Sequence, residues 1–126
     1  MDTIESISSI GLYYFSKGNK DKALFYLYKS LFLCNFAFGE GYPEAIVNYM
    51  NISAIYQQNR QFQLAIVCMM EILERIIRVY GKDNINTAVC YTGLANLHYE
   101  ISDFRQCIDY QEKSVNVLKH VHNTTI

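Results

Sequence analysis

The sequence predicts an all-α chain, a right-handed α-solenoid built from three helical hairpins of 42 residues each. Three observations carry that prediction. Apolar residues recur at three- and four-residue spacing along most of the chain. The same residue classes return after 42 positions. One proline and six glycines in 126 residues are too few for an architecture of strands and tight turns.

The elements follow in order. Helix A of the first unit is expected near residues 4–17, where Ile4, Ile7, Ile10 and Tyr14 keep helical spacing. The string KGNK breaks it, and Gly18 suits a left-handed C-cap. Helix B is expected near 20–38, with Ala23, Leu24, Leu27 and Leu31 on one face, and stops before Gly39. Gly39 to Pro43, within FAFGEGYPEA, joins the first two units, and Pro43 is a good first helical residue. The second unit runs to about Gln58, turns through Asn59, Arg60 and Gln61, and resumes from Phe62 to Tyr80. The third runs from Ile85 to Ile101, turns at Ser102, and resumes from Phe104 to about His122. Asn84 and Ser102 are the expected N-caps. One domain over 1–126 thus divides into units near 4–39, 43–81 and 85–122.

The repeat is tested by size class. Ile7 corresponds to Tyr49 and Tyr91, Ile10 to Ile52 and Leu94, and Tyr14 to Tyr56 and His98. Gly11, Ser53 and Ala95 form a small position on helix A, and Ala23, Ala65 and Cys107 a facing small slot on helix B. A helical hairpin closes tightly only where small residues let the backbones approach, with Tyr14 and Tyr56 filling the space left between hairpins.

This pattern of large residue, hydrophobe, small residue, aromatic and then helix B alanine resembles the tetratricopeptide repeat. In the second unit it is carried by Tyr49, Ile52, Ser53, Tyr56, Ala65 and Met69. That repeat usually spans 34 residues; a 42-residue period implies helices about a turn longer, as in the kinesin light chain type. The segments DTIESISSIGLYYFSKGNKDKALFYLYKSLFL, FGEGYPEAIVNYMNISAIYQ and SDFRQCIDYQEKSVNVLK further resemble the tetratricopeptide segment of the clustered mitochondria family. In that family a histidine-proline-x-threonine turn leads into a leucine-alanine-leucine-tyrosine helix, then an alanine-leucine-x-x-leucine-tyrosine helix. Asp2-Thr3-Ile4, Ile10 to Tyr13, and Ala23-Leu24 with Leu27-Tyr28 stand at those places. The chain departs from it at Gly41-Tyr42-Pro43, in place of acid-histidine-proline, and at Ile85, in place of proline. The resemblance implies a fragment of a larger cytoplasmic protein concerned with mitochondrial distribution and messenger RNA handling. Asp2-Thr3 reads as the tail of a preceding turn, and uncapped repeat ends imply leaning on neighbours or homo-oligomerisation.

Composition narrows the function classes. A formal net charge of -1 argues against a nucleic-acid footprint over the whole surface. The N-terminus lacks the basic region of a signal peptide, and Lys29 and Asn35 interrupt the richest apolar run, so membrane insertion is not expected. Cys34, Cys68, Cys90 and Cys107 form no CxxC pair and no metal-ligand spacing with histidine, which fits packing roles in a reducing, cytoplasmic setting. No phosphate loop or nucleophile motif is present. His98 holds the aromatic slot, His120 and His122 do not share a helix face, and Glu71, Glu74, Arg75 and Arg78 read as a solvated face. The expectation is a protein without catalytic residues, cofactor or metal.

What remains is binding. In the repeat's geometry helix A lines a concave groove, which would show Ser8, Leu12, Phe15 and Ser16, then Met50, Asn51, Ala54, Gln57 and Gln58, then Thr92, Asn96, Tyr99 and Glu100. The amides suit the backbone of an extended peptide, and Phe15, Met50 and Tyr99 suit apolar anchors. The subtype that clamps a C-terminal carboxylate needs cations where this chain has Ser8, Leu12, Met50, Asn51 and Val89, so chaperone-tail binding is not expected. The rival readings are a cargo adaptor of the kinesin light chain type, RNA contact through Lys17, Lys20, Lys22 and Lys29 with Tyr26 and Tyr28 between them, and a self-associating spacer.

Overall fold

The computed structural model describes residues 3–39 and 42–125. Its six helices are α1 (Thr3–Ser16), α2 (Lys20–Phe38), α3 (Pro43–Gln58), α4 (Phe62–Tyr80), α5 (Ile85–Glu100) and α6 (Phe104–Thr125). Among the described residues there is no strand. Asp2 and Gly41, read as parts of inter-repeat turns, lie outside the described residues. The helices form two compact units, residues 1–61 with α1 to α3 and residues 62–126 with α4 to α6.

Each hairpin turns on one left-handed residue at the same place in the repeat. Gly18, Arg60 and Ser102 have φ of 77°, 60° and 63°. The amide after each returns to the helix A carbonyl five residues back: Asn19 to Tyr14, Gln61 to Tyr56 and Asp103 to His98, at 2.9, 2.8 and 2.8 Å. These bonds satisfy carbonyls that the last helical turn leaves open. Ser102 is therefore the left-handed turn residue and not an N-cap. That role falls to Asp103, whose Oδ1 accepts the Gln106 amide at 3.3 Å. Asn19 does the same for Lys22 at 3.2 Å, and Asn84, as expected, accepts the Asn86 amide at 2.8 Å. Asn and Asp are favoured there because a short side chain reaches an amide that has no helical partner. Pro43 stands at the head of α3, where its missing N–H costs no helical bond.

In the first unit α2 packs on both α1 and α3. Ala23, Leu27, Leu31, Cys34, Ala45, Ile52 and Ile55 form its core. A Cβ on Gly11 would lie 2.9 Å from Leu27 Cγ and 3.2 Å from the Ala23 carbonyl oxygen, so the small position is set by close approach of α1 and α2. Tyr14 stacks on Tyr26 at 5.7 Å between centroids. Ile10 is 41% exposed although its counterparts Ile52 and Leu94 are fully buried. In the second unit α5 packs on α4 and α6, around Ala65, Ile72, Ile76, Cys90, Leu94, Ala95 and Leu97. His98 takes the aromatic slot there, stacked on Tyr110 at 5.5 Å, with Nδ1 3.4 Å from an Asp103 carboxylate oxygen.

Candidate binding face

The groove residues expected on α1 and α3 belong to one unit. Leu12 and Met50 are each 40% exposed; Phe15, Asn51 and Ala54 are half-buried and Gln57 is exposed. Asn51, Ala54 and Gln57 share a face of α3 by their three-residue spacing. Two amides and a small residue beside the apolar Met50 make a surface that can hydrogen-bond an extended backbone and seat a side chain.

Ser8 is the exception and a correction to the sequence reading. It is 5% exposed and belongs to a buried polar knot between hairpin and next helix. Its Oγ lies 2.6 Å from Ser30 Oγ and donates to Asn48 Oδ1 at 3.0 Å. The Asn48 amide in turn donates to Ser30 Oγ at 3.0 Å, and Ser30 reaches the Ile4 carbonyl at 3.2 Å. Every polar group there has a partner, as burial demands. The physical reason is that α3 lies over this part of α1 and α2, so the position cannot face a groove.

On α5 the expected residues separate. Thr92 and Asn96 line one hollow of about 350 Å³, together with Ile85, Val89, Ser114 and Leu118. Thr92 Oγ1 also lies 2.9 Å from Ser114 Oγ. Tyr99 lies outside that hollow and is 60% exposed, in edge contact with Phe104 at 5.5 Å. The two units are each compact bodies, so the thirteen expected residues fall into an α1/α3 set and an α5 set.

Three of the four lysines singled out for RNA are already in contact within the first unit. Lys22 Nζ lies 5.1 Å from the centre of the Tyr14 ring and Lys17 Nζ 5.7 Å from that of Tyr13. Lys20 donates to Gln61 Oε1 at 3.2 Å. Cys34, Cys68 and Cys90 are buried thiols and the Cys107 thiol is half-buried. Burial pushes the Cys90 thiol up to about 11, which leaves it protonated and unreactive at neutral pH. Among the described residues no three His, Cys, Asp or Glu side chains converge on a metal position, and no helix is long and apolar enough to cross a membrane.

The sequence reading missed two features. One is the Ser8–Ser30–Asn48 knot; its signal was the return of a hydroxyl pair, as Thr92 and Ser114, two repeats on. The other is a stripe on α2, where Phe25, Phe32 and Phe36 are 61%, 69% and 84% exposed. The matching places carry Val67, Glu74 and Arg78 on α4, and Asp109, Asn116 and His120 on α6.

A family model described as tetratricopeptide repeat matches residues 44–120, and a second of the same description matches residues 4–33. A clustered mitochondria protein homolog from Aedes aegypti is 26% identical over 117 residues, covering 93% of this chain and 8% of that protein. A Homo sapiens protein of the same description is 21% identical over 118 residues, covering 94% of this chain and 9% of that protein. The chain thus spans less than a tenth of the length of these two relatives. Among solved structures, BtubC (BKLC) from P. vanneervenii superposes with a TM-score of 0.80 at 22% identity, over 93% of this chain and 46% of that one. The nearly identical TPR-like repeats of a kinesin light chain candidate from Podosopora anserina superpose with a TM-score of 0.71 at 14% identity, over 98% of this chain and 56% of that one. These likenesses show the fold, an α-solenoid of helical hairpins.

Proposed function

The chain belongs to the tetratricopeptide repeat family, and from that premise we propose that it is a non-catalytic scaffold segment that holds an extended peptide of a protein partner. The observation that carries this is the α3 face, where Asn51 and Gln57 flank Ala54 beside the exposed Met50. Amides at that spacing pair with a peptide backbone of any sequence, and the apolar residue selects a side chain. Leu12 and Phe15 extend the surface on α1, and Asn96 and Tyr99 supply the α5 set. Similarity to clustered mitochondria proteins supports a place in a larger cytoplasmic protein concerned with mitochondrial distribution and messenger RNA handling.

A displayed library of random peptides tests it. Selected peptides bind the wild-type chain and lose about tenfold or more in affinity against a Met50→Glu, Asn51→Ala variant that melts like wild type. Undiminished binding would remove the α3 face from the site. Enrichment of acidic peptides with an aromatic residue would favour cargo adaptation of the kinesin light chain type. RNA affinity that falls with salt and with Lys20→Glu, Lys22→Glu would favour nucleic-acid contact instead.

A further inference from the structure

The α5/α6 hairpin carries a second surface, distinct from the α3 face, and its occupant can be read from the first unit. Thr92 and Ser114 stand two repeats after Ser8 and Ser30. Both pairs are hydroxyl to hydroxyl, at 2.6 Å in the first hairpin and 2.9 Å in the third. Ser30 reaches the Ile4 carbonyl and Ser114 the Ala88 carbonyl, again equivalent atoms. The two sites are the same construction, differing in what lies on top. In the first, α3 covers the pair and Asn48 bridges it, accepting from Ser8 and donating to Ser30. In the third, the pair opens into the hollow of about 350 Å³.

The surrounding apolar residues agree. Leu31 and Cys34 are 5% and 0% exposed under α3, while their equivalents Val115 and Leu118 are each 47% exposed. Ile85 and Val89, 58% and 49% exposed, extend the uncovered rim. The middle repeat varies the two positions together. There Ile72 replaces the serine, and α5, which packs on α4, carries Cys90 where α3 carries Asn48. In sequence, the polar receptor position goes with an amide and the apolar one with a thiol, as expected where an unmatched polar group would be buried without a partner.

We propose that the α5/α6 face binds a partner helix of the α3 type, with an asparagine that bridges Thr92 and Ser114, a small residue three positions before it and an aliphatic residue four positions after it. In α3 these are Ala45, Asn48 and Ile52, all fully buried. The small residue lets the helix approach, the aliphatic one adds apolar contact, and the asparagine supplies both an acceptor and a donor to the hydroxyl pair. An aliphatic residue in its place would leave the hydroxyls unmatched, so the face discriminates by hydrogen bonding as well as by shape.

The probe is a synthetic peptide of residues 43–58, stapled on its exposed side so that helix formation does not mask the affinity. Titrated into the full chain, it is expected to bind saturably. Replacing its Asn48 by Leu should weaken binding about tenfold, as should Thr92→Val in the protein, in which only a hydroxyl is exchanged for a methyl. Thermal melts keep the Thr92→Val result interpretable. Saturable binding that needs both the peptide asparagine and Thr92 supports the proposal. No saturation, an Asn48→Leu peptide that binds equally well, or indifference to Thr92→Val would overturn it. So would a dimer of the chain that Thr92→Val dissociates, since that places a second copy on the face. A photo-crosslink from the peptide to α1 or α2 would also overturn it, because it would report exchange with the chain's own α3.

Discussion

At Ser102 a residue with a side chain holds a backbone conformation that its counterpart Gly18 adopts freely. The φ values are 63° and 77°, and a Cβ in the left-handed region costs roughly 1–2 kcal/mol. Ser102→Gly should therefore stabilise the chain by up to about 1 kcal/mol, after the greater unfolded-state entropy of glycine is set against it. Gly18→Ala should cost about 1 kcal/mol or more although open space surrounds its Cβ. Urea unfolding of the two variants measures both; a destabilising Ser102→Gly would show that the serine side chain matters more than the strain. Cys90 gives the pH prediction. Its thiol rises from 9.0 to about 11 on burial, so the native state holds the proton more tightly than the unfolded chain does. That contribution is complete below pH 9 and is lost as the pH climbs towards 11. Melting temperature should fall over that window, and Cys90→Ala, which cannot ionise, should flatten the fall relative to wild type.

At the scale of the element, helix α2 has two faces with different obligations. Its buried face is fixed by Ala23, Leu27 and Leu31, and by Gly11 across the hairpin, where a Cβ would meet Leu27 Cγ at 2.9 Å. Gly11→Ala should cost on the order of 1–3 kcal/mol through overpacking. Its exposed face carries Phe25, Phe32 and Phe36, one stripe by their spacing of seven and four. Phe32→Gln with Phe36→Gln should change stability by less than about 0.5 kcal/mol while lowering binding of an apolar dye, because those rings contribute surface and not core. Helix boundaries were legible in the sequence because punctuation and period agreed: Gly18, Gly39, Pro43 and Asn84 all stand where the helices stop or start. Ser102 misled because serine is a common N-cap, and only backbone geometry distinguishes that role from a left-handed turn. Ser8 misled for another reason. Its helix A position meets Ser30 across its own hairpin, as Thr92 meets Ser114, and only the arrival of α3, with Asn48 forty residues on, closes it off from solvent. The amide face of α3 was legible because it depends on helical spacing alone.

For the whole molecule, stability is expected to be local. Within each unit helices pack on their sequence neighbours, α1 on α2, α2 on α3, α4 on α5 and α5 on α6. Repeat arrays of this kind behave as sums of hairpin terms and nearest-neighbour terms, so a lesion should be felt mainly where it is made. Asn48 offers the sharpest lesion. It is fully buried and bridges two serines, so Asn48→Ala removes two hydrogen bonds and leaves Ser8 and Ser30 with one partner fewer. The loss should be about 2–4 kcal/mol, from two buried polar groups losing their partner and a small void. Native-state hydrogen exchange reads where that loss falls. Amides of α1, α2 and α3 should lose protection by a factor on the order of thirty to several hundred, while those of α5 and α6 change by less than about twofold. The Ser8→Ala, Ser30→Ala, Asn48→Leu triple variant, which removes the polar groups together, should recover much of the protection because no unmatched partner remains. Equal loss across all six helices would instead mean that the chain opens as one cooperative body, and that the junctions between repeats carry more of the stability than the hairpins themselves.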